Sequence, residues 1–292
     1  MRILLTGGSG FIGRNFWETY KNKYDILKPS HKELDLSNTD EVDAFFSKNK
    51  IDVVVHCANI GGLRNSGDLN DIVKTNLKMF FNIVKNKNKF GKMIHLGSGA
   101  EYDKSRNIVK IKESDFGIKI PNDDYGFYKY VCSKYIENSS NIYCLRLFGV
   151  FGKYEDYSIK FISNLICKYI KKMPLTMIRD CYFDYIYIND LVQIIDYFIN
   201  NKPKEKFFNV GSGQRISLLS LAKKINELDN YSLPIVVKNK GLNKEYTTNN
   251  SRLKKEIKGL KLETIDEAIK DLYKYYLANQ KFIDFKLLTK NE

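Results

Sequence analysis

The chain is 292 residues long, 43% hydrophobic and 28% charged, with a formal net charge of +14. Those values suit a soluble protein that buries one large α/β core with a smaller appendage. No apolar run is long enough to span a bilayer, which excludes a membrane-embedded class and predicts no membrane partner.

The basic excess is spread along the whole length among Asn and Ile, with no basic block and no nucleic-acid-binding motif. It predicts a solvated basic surface that attracts an anionic nucleotide, and no nucleic-acid partner. The five cysteines (Cys57, Cys132, Cys144, Cys167, Cys181) are odd in number and lack a Cys-x-x-Cys pair, and only three histidines accompany them. Reduced, packed thiols and no metal site are expected. Met1-Arg2-Ile3-Leu4-Leu5-Thr6 passes into glycines rather than a signal-peptide cleavage site, which predicts a cytoplasmic protein.

Arg2 to Leu5 reads as a short buried strand. Thr6-Gly7-Gly8-Ser9-Gly10-Phe11-Ile12-Gly13 follows, then a helix from about Phe11 to Tyr20. Strand, tight glycine turn and helix in that order turn Gly-x-x-Gly-x-x-Gly into a dinucleotide site. Glycines let the backbone approach a pyrophosphate, and the helix N-terminus offers free N–H groups and partial positive charge. Gly7, Ser9, Gly10, Phe11, Ile12 and Gly13 are therefore expected to hold a cofactor. A second strand, Tyr24 to Leu27, runs into Lys28-Pro29-Ser30-His31-Lys32, where an NAD site would carry an acid for the ribose hydroxyls. Lys28 and His31 suit a 2′-phosphate, so NADP(H) is favoured, while nearby Glu33 keeps NAD(H) open. Asp35 and Leu36 are placed to touch the adenine.

Asp52 to His56 is the next buried strand. Cys57, Ala58, Asn59 and the pair Gly61-Gly62 are small enough for the chain to pass under the cofactor, and His56 reads as a packing residue. A helix from Asp71 to Lys85 carries Asn76, which either organises a water near a lysine or caps a local contact. Lys92 to Leu96 forms a strand that delivers Gly97-Ser98-Gly99-Ala100-Glu101-Tyr102. Ser98 falls at the strand's C-terminal end, where open α/β sheets keep their chemistry.

After a polar loop, Asp103 to Asp124, a helix starts near Tyr125. Tyr125 and Lys129 lie one turn apart on one face. An ammonium there favours the phenolate, so a phenol with an ordinary pKa near ~10 can exchange a proton close to neutrality. Carbonyl reduction needs such an acid at the oxygen while hydride arrives at the carbon, with Ser98 binding that oxygen. Tyr130 and Lys134 repeat the spacing, deeper in the helix and on another face. A strand from Asn141 to Leu147, a helix from Ser158 to Ile170, a strand around Asp184 to Tyr187 and a helix from Asn189 to Ile199 follow. Asn209 to Gly213 reads as a turn, and helices are expected over Ser217–Leu228, Asn249–Lys258 and Thr264–Tyr276. This irregular alternation predicts a dinucleotide-binding domain over 1–150 with returns around 184–210, and a substrate domain, mainly 151–292, acting as a lid.

The glycine turn, Ser98, Tyr125/Lys129, Arg146-Leu147-Phe148-Gly149-Val150-Phe151-Gly152 and Asp184-Tyr185-Ile186-Tyr187-Ile188-Asn189-Asp190 together resemble the extended short-chain dehydrogenase/reductase family. This is the nucleotide-sugar epimerase/dehydratase group, and the likeness covers nearly the whole chain. Glu33-Leu34-Asp35-Leu36, Asn59-Ile60-Gly61-Gly62 and Leu96-Gly97-Ser98 look most like the GDP-fucose synthase and 4-keto-sugar reductase branch. The resemblance implies a Rossmann-type doubly wound parallel sheet with a smaller C-terminal α/β domain for a nucleotide sugar. It also implies a homodimer through a helix bundle, Tyr125-Gly126 rather than Tyr130 at the site, and substrate contacts from Ser98, Gly99, Ala100, Tyr125, Gly149, Lys160 and Arg179.

Departures from the family pattern narrow the chemistry. The 4,6-dehydratases carry Asp-Glu directly after their active-site Ser/Thr, where this chain has Gly99 and Ala100. GDP-fucose synthases carry a proton-exchanging Cys at the place of Ala100, and a partner His at that of Lys160. A methyl group cannot take a proton. The redox half remains: NADPH-dependent reduction of the C4 ketone of a nucleotide-linked, GDP-type 4-keto deoxy-sugar or heptose, without C3/C5 epimerisation, for a surface glycan. Two other readings stand beside it. One is an NAD-dependent 4-epimerase using the same Ser/Tyr/Lys set; the other is a silent dinucleotide-sensing protein, disfavoured because all three residues are present.

Overall fold

The computed structural model describes residues 1–61 and 71–289; Gly62, expected under the cofactor, lies outside the described residues. The chain begins β1 (Arg2–Thr6), α1 (Phe11–Tyr20), β2 (Asp25–Leu27), α2 (Thr39–Lys48), β3 (Ile51–His56), α3 (Ile72–Lys85) and β4 (Phe90–Ser98). It continues with β5 (Ile108–Ile111), α4 (Asp124–Ile136), β6 (Ile142–Leu147), β7 (Gly149–Phe151), α5 (Phe161–Ile170), β8 (Leu175–Met177), β9 (Tyr182–Phe183) and β10 (Tyr185–Tyr187). The remainder is α6 (Ile188–Asn200), β11 (Phe207–Val210), β12 (Ile216–Ser217), α7 (Leu218–Ile225), β13 (Ile235–Val237), β14 (Tyr246–Thr248), α8 (Ser251–Glu256), α9 (Ile265–Ala278) and α10 (Phe285–Thr289).

Six strands make one parallel sheet in the order β11-β6-β4-β3-β1-β2. The run Val53-Val54-Val55 is buried on both faces, as a sheet covered by helices on each side requires. Side chains alternate between two apolar layers. Ile3 and Leu5 join Phe16 of α1 and Leu191 of α6, while Leu4 joins Phe46 of α2, Phe80 of α3 and Cys132 of α4. This is a Rossmann-type doubly wound α/β fold. Strand order reverses between β1 and β3, and the crevice beyond their C-terminal ends is where such sheets bind ligands.

Local capping sets the helix starts. Asn38 accepts from the N–H groups of Asp40 and Glu41 to open α2, a helix the sequence reading passed over. Asp123 accepts from Gly126 N at 2.9 Å to open α4. Each such cap is worth about 1 kcal/mol.

The polar loop expected over Asp103–Asp124 contains β5. This strand pairs in parallel with β14, from far along the chain, within the small sheet β12-β9-β14-β5. Ile108 and Ile111 are buried there, so two apolar residues three apart decide what the lysines around them obscure. The second half of the chain in turn returns α6 and β11 to the main sheet. Expected helix limits shorten at Ser158–Ile170, which begins at Phe161, and at Asn249–Lys258, which spans Ser251–Glu256. Among the described residues no helix is long and apolar enough to cross a membrane, and no three His, Cys, Asp or Glu side chains converge on a metal-sized site.

Candidate active site

A groove of about 640 Å³ opens at the switch point, lined by Thr6–Gly13, by Cys57–Gly61, and by Pro29, Ser30, His31, Leu34 and Leu36. Its walls come within backbone contact of each other. A Cβ on Gly7, at φ +66°, would lie 2.7 Å from Ala58 N, and one on Gly13 would lie 2.3 Å from the Gly7 carbonyl oxygen. Helix α1 starts at Gly10 with no side-chain cap and no acid in its first turn, leaving its N–H groups and positive end free. A dinucleotide pyrophosphate fits this cradle.

At the ribose end, His31 lines the groove, while the Glu33 carboxylate accepts from Ser30 N at 2.7 Å. Lys28 packs its stem over Gly8 and holds its ammonium 4.2 Å above the Trp17 ring, outside the groove lining. Asp35, expected at the adenine, turns back on Ser37, accepting from its N–H and hydroxyl at 2.8 Å each; neighbouring Leu36 does line the groove. Asn76 makes the local contact: its amide bonds Ile60 and Ile72 backbone groups and clamps the loop after β3 to α3. Burial pushes the Cys57 thiol up to about 12, and burial with the nearby Lys129 charge holds His56 down to about 3. Neither exchanges protons near neutrality. His56 Nδ1 lies 2.7 Å from the Thr6 hydroxyl, a packing contact.

Ser98, the last residue of β4, has its Oγ bonded by Ala100 N at 3.1 Å. Tyr125 opens α4, and one turn on Lys129 is 4% exposed and donates to the Leu96 carbonyl at 2.5 Å. The buried ammonium thus sits between β4 and the groove, close enough to act on both Cys57 and His56. Lys134 is committed elsewhere, to Glu137 at 3.0 Å, and Tyr130 packs on Phe116 with ring centres 4.9 Å apart.

Behind Ser98 lies a charge pair that sequence reading missed. Glu101 is wholly buried; it accepts from Ser98 N at 2.9 Å, from Ser133 Oγ at 2.6 Å and from Arg146 Nε at 2.6 Å. Arg146, 1% exposed, also donates to the Tyr102 hydroxyl at 3.1 Å, which itself donates to Asn209 Oδ1 at 2.7 Å. Arg146 Nη2 has no hydrogen-bond partner, but the guanidinium lies 4.1 and 4.5 Å from the Phe116 and Phe207 ring centres. A buried ion pair is stable only when its remaining groups are satisfied, and this one is nearly so. It ties the end of β4 to β6 and α4. Its trace in the sequence is Ser98-x-x-Glu101, a capping-box spacing, and both halves of the box form.

The expected substrate residues divide. Ser98, Gly99, Ala100 and Tyr125 are adjacent, Ala100 being 1% exposed. A Cβ on Gly149 would meet the Asp184 carbonyl oxygen at 2.6 Å, so that position packs β7 on β10 and admits no side chain. Lys160 lines the dinucleotide groove together with Tyr154, Glu155 and Asp156. Arg179 is exposed between β8 and β9 and lines neither this groove nor a second cavity of about 460 Å³ near β10 and β12, which holds none of the expected residues.

Parallel sheet, glycine cradle and Ser/Tyr/Lys set define a dinucleotide-dependent oxidoreductase of the extended short-chain type. Residues 3–211 match the NAD dependent epimerase/dehydratase family, and the chain belongs to it. Its relatives include a GDP-L-colitose synthase of Yersinia pseudotuberculosis, 26% identical over 79% of this chain and 83% of that protein. Among solved structures, a GDP-mannoheptose C4 reductase of Campylobacter jejuni with NADP bound superposes at a TM-score of 0.79 with 20% identity, covering 94% of this chain and 98% of that one. A GDP-L-fucose synthetase of Naegleria fowleri bound to NADP reaches 0.81 with 17% identity, covering 96% and 94%. At these identities the structural likeness speaks for the fold.

Proposed function

We propose that this chain uses NADPH to reduce the C4 ketone of a GDP-linked 4-keto deoxy-sugar or heptose, leaving C3 and C5 unepimerised, in the synthesis of a surface glycan. The observation that carries this reading is the neighbourhood of Ser98. Ser98 ends β4 and α4, which carries Tyr125 and Lys129, packs through Gly126 on the Ala100 carbonyl, while Ala100 offers only a buried methyl and Glu101 is committed to Arg146, Ser133 and the Ser98 N–H. Proton exchange at C3 or C5, or elimination of water, needs a group these positions do not supply. GDP as carrier is supported by the colitose synthase and mannoheptose reductase among the similar proteins. NADP is supported by Ser30 and His31, which line the ribose end of the groove where Glu33 is turned onto backbone, with Lys28 next to that segment in the chain.

When bound, the nicotinamide supplies the hydride. Gly7, Gly10 and Gly13 would hold the pyrophosphate against the start of α1. Ser98 donates a hydrogen bond to the ketone oxygen and Tyr125 hands that oxygen its proton. Lys129, bonded to a carbonyl oxygen rather than a carboxylate, supplies positive charge beside the anion that transfer leaves.

The test is NADPH oxidation against freshly made 4-keto GDP-, dTDP- and CDP-sugars in deuterated water, with products read by NMR. Reduction of a GDP-sugar without deuterium at C3 or C5 is expected, and Tyr125→Phe should lose turnover while still binding NADPH. Interconversion of two sugars by protein carrying bound NAD, with no NADPH added, would instead establish a 4-epimerase.

A further inference from the structure

Glu155 is an acid in the wall of a groove whose glycine cradle suits an anion. It shares that lining with Gly7, Gly10 and the start of α1, yet it is 5% exposed. Its Oε1 accepts from Ser163 Oγ at 2.5 Å, and its Oε2 is buried with no hydrogen-bond partner. A carboxylate held in that way is poorly compensated for the water it has lost.

The segment is tied to the helix that forms the cradle. Tyr154 adopts φ +72°, a backbone region that side chains of its kind rarely enter. Arg14 of α1 lies 3.7 Å from the centre of its ring, and its hydroxyl donates to Glu18 Oε2 at 3.0 Å. Lys153 donates to the same oxygen at 3.0 Å, while its carbonyl accepts from Asn15 Nδ2 at 2.9 Å. Helix α1 thus holds both the cradle and the acid beside it.

Glu155 faces Asp156 and Lys160 from its own segment, Ser163 and Cys167 from α5, and Tyr276 from α9. The first turn of α1 adds no acid. Burial pushes the Cys167 thiol and the Tyr276 phenol up, so both are neutral near pH 7. Burial likewise lifts the Glu155 carboxyl to about 7, against the Ser163 hydrogen bond and the Lys160 charge. A pyrophosphate in the cradle adds like charge nearby, which disfavours the carboxylate further.

We propose that NADPH binding is coupled to uptake of a proton at Glu155, so that the groove holds its cofactor with this carboxyl neutral. The proposal rests on the groove as cofactor site and not on the ketone reduced. NADPH Kd is measured by fluorescence titration across pH for the parent, Glu155→Gln and Lys160→Met. Between about pH 6.5 and about pH 8.5 the parent Kd should rise about tenfold more than that of Glu155→Gln. His31 and the cofactor's own phosphates act in both proteins and cancel. Calorimetry at pH 8 in HEPES and in Tris should show the parent taking up about half a proton per NADPH more than Glu155→Gln does. In Lys160→Met the pH at which the Kd begins to rise should move upward, because the charge opposing burial is gone. Parallel Kd curves for the parent and Glu155→Gln, equal proton uptake, or an unmoved onset in Lys160→Met would each overturn the coupling. If NADH binds and NADPH does not, the preference for NADP falls and the same comparison is read with NADH. Binding of neither dinucleotide overturns the cofactor site and the coupling together.

Discussion

Glu155 offers a measurement independent of any substrate. It lies in the groove wall, is 5% exposed, and accepts from Ser163 Oγ at 2.5 Å through one oxygen while the other has no partner. Burial is the largest influence and raises its pKa from 4.5 to about 7; the Ser163 hydrogen bond and the Lys160 charge oppose it. A raised carboxyl pKa means that the folded state keeps a proton the unfolded state has released. Below about pH 4 both states are protonated and no cost arises. From there to about pH 7 stability falls as pH rises, then levels off. The cost is about 1 kcal/mol at pH 5 and about 3 kcal/mol at pH 8. Glu155→Gln keeps an acceptor for Ser163 and cannot titrate. It should therefore stabilise the ligand-free protein far more at pH 8 than at pH 5, by about 2 kcal/mol in the difference. Urea unfolding of both proteins at both pH values reads this directly. Asp184 and Asp190, whose carboxyls are also pushed up by burial, to about 6, are present in both proteins and cancel. An equal effect of the substitution at the two pH values would show that Glu155 is not desolvated as the geometry requires.

Three further outcomes follow from the same contacts. Gly13→Ala places a methyl 2.3 Å from the Gly7 carbonyl and should weaken NADPH binding about tenfold or more by fluorescence titration; an unchanged Kd would remove the groove as the cofactor site. Arg146→Met strands the buried Glu101 carboxylate and should cost about 3–5 kcal/mol, with Glu101→Gln recovering part of the loss in the double variant; a midpoint unmoved by Arg146→Met would deny the pair its structural role. Lys28→Asp should weaken NADP about tenfold more than NAD if the Lys28 ammonium swings from the Trp17 ring onto a bound 2′-phosphate; equal weakening of both would sink the preference for NADP.

The dinucleotide half of the molecule was legible because its determinants are local. Gly7, Gly10 and Gly13 sit within one turn and one helix start, and the apolar runs on either side alternate or stay continuous as a parallel sheet demands. Helix α2 was equally open to reading. Asn38-Thr39-Asp40-Glu41 is a cap followed by Val42, Phe45 and Phe46 at helical spacing. β5 and β14 are different in kind. Strands of four and three residues carry almost no period; β5 is a strand only because β14 is there to pair with it, and β14 is held between β5 and β9.

That difference governs what could be known about the site. Tyr125, Lys129 and Ser98 announce themselves by spacing, whereas Tyr246, whose hydroxyl packs against Gly99, arrives on a strand of three residues and is one of 20 tyrosines in the chain. The charges follow the same logic. With 48 Lys and Arg in the sequence, nothing in composition separates Arg146 and Lys129 from cations that cover the surface. Burial separates them: a fully enclosed guanidinium must be met by a carboxylate, and Glu101 meets it three residues after the serine it anchors. The side chains packed around Ser98 and Gly99 are thus drawn from β6, α4 and β14, Tyr246 of β14 lying against Gly99, so the geometry there depends on the second half of the chain having docked. Oxidation of NADPH by a fragment ending near residue 211, where the family match stops, would contradict that dependence.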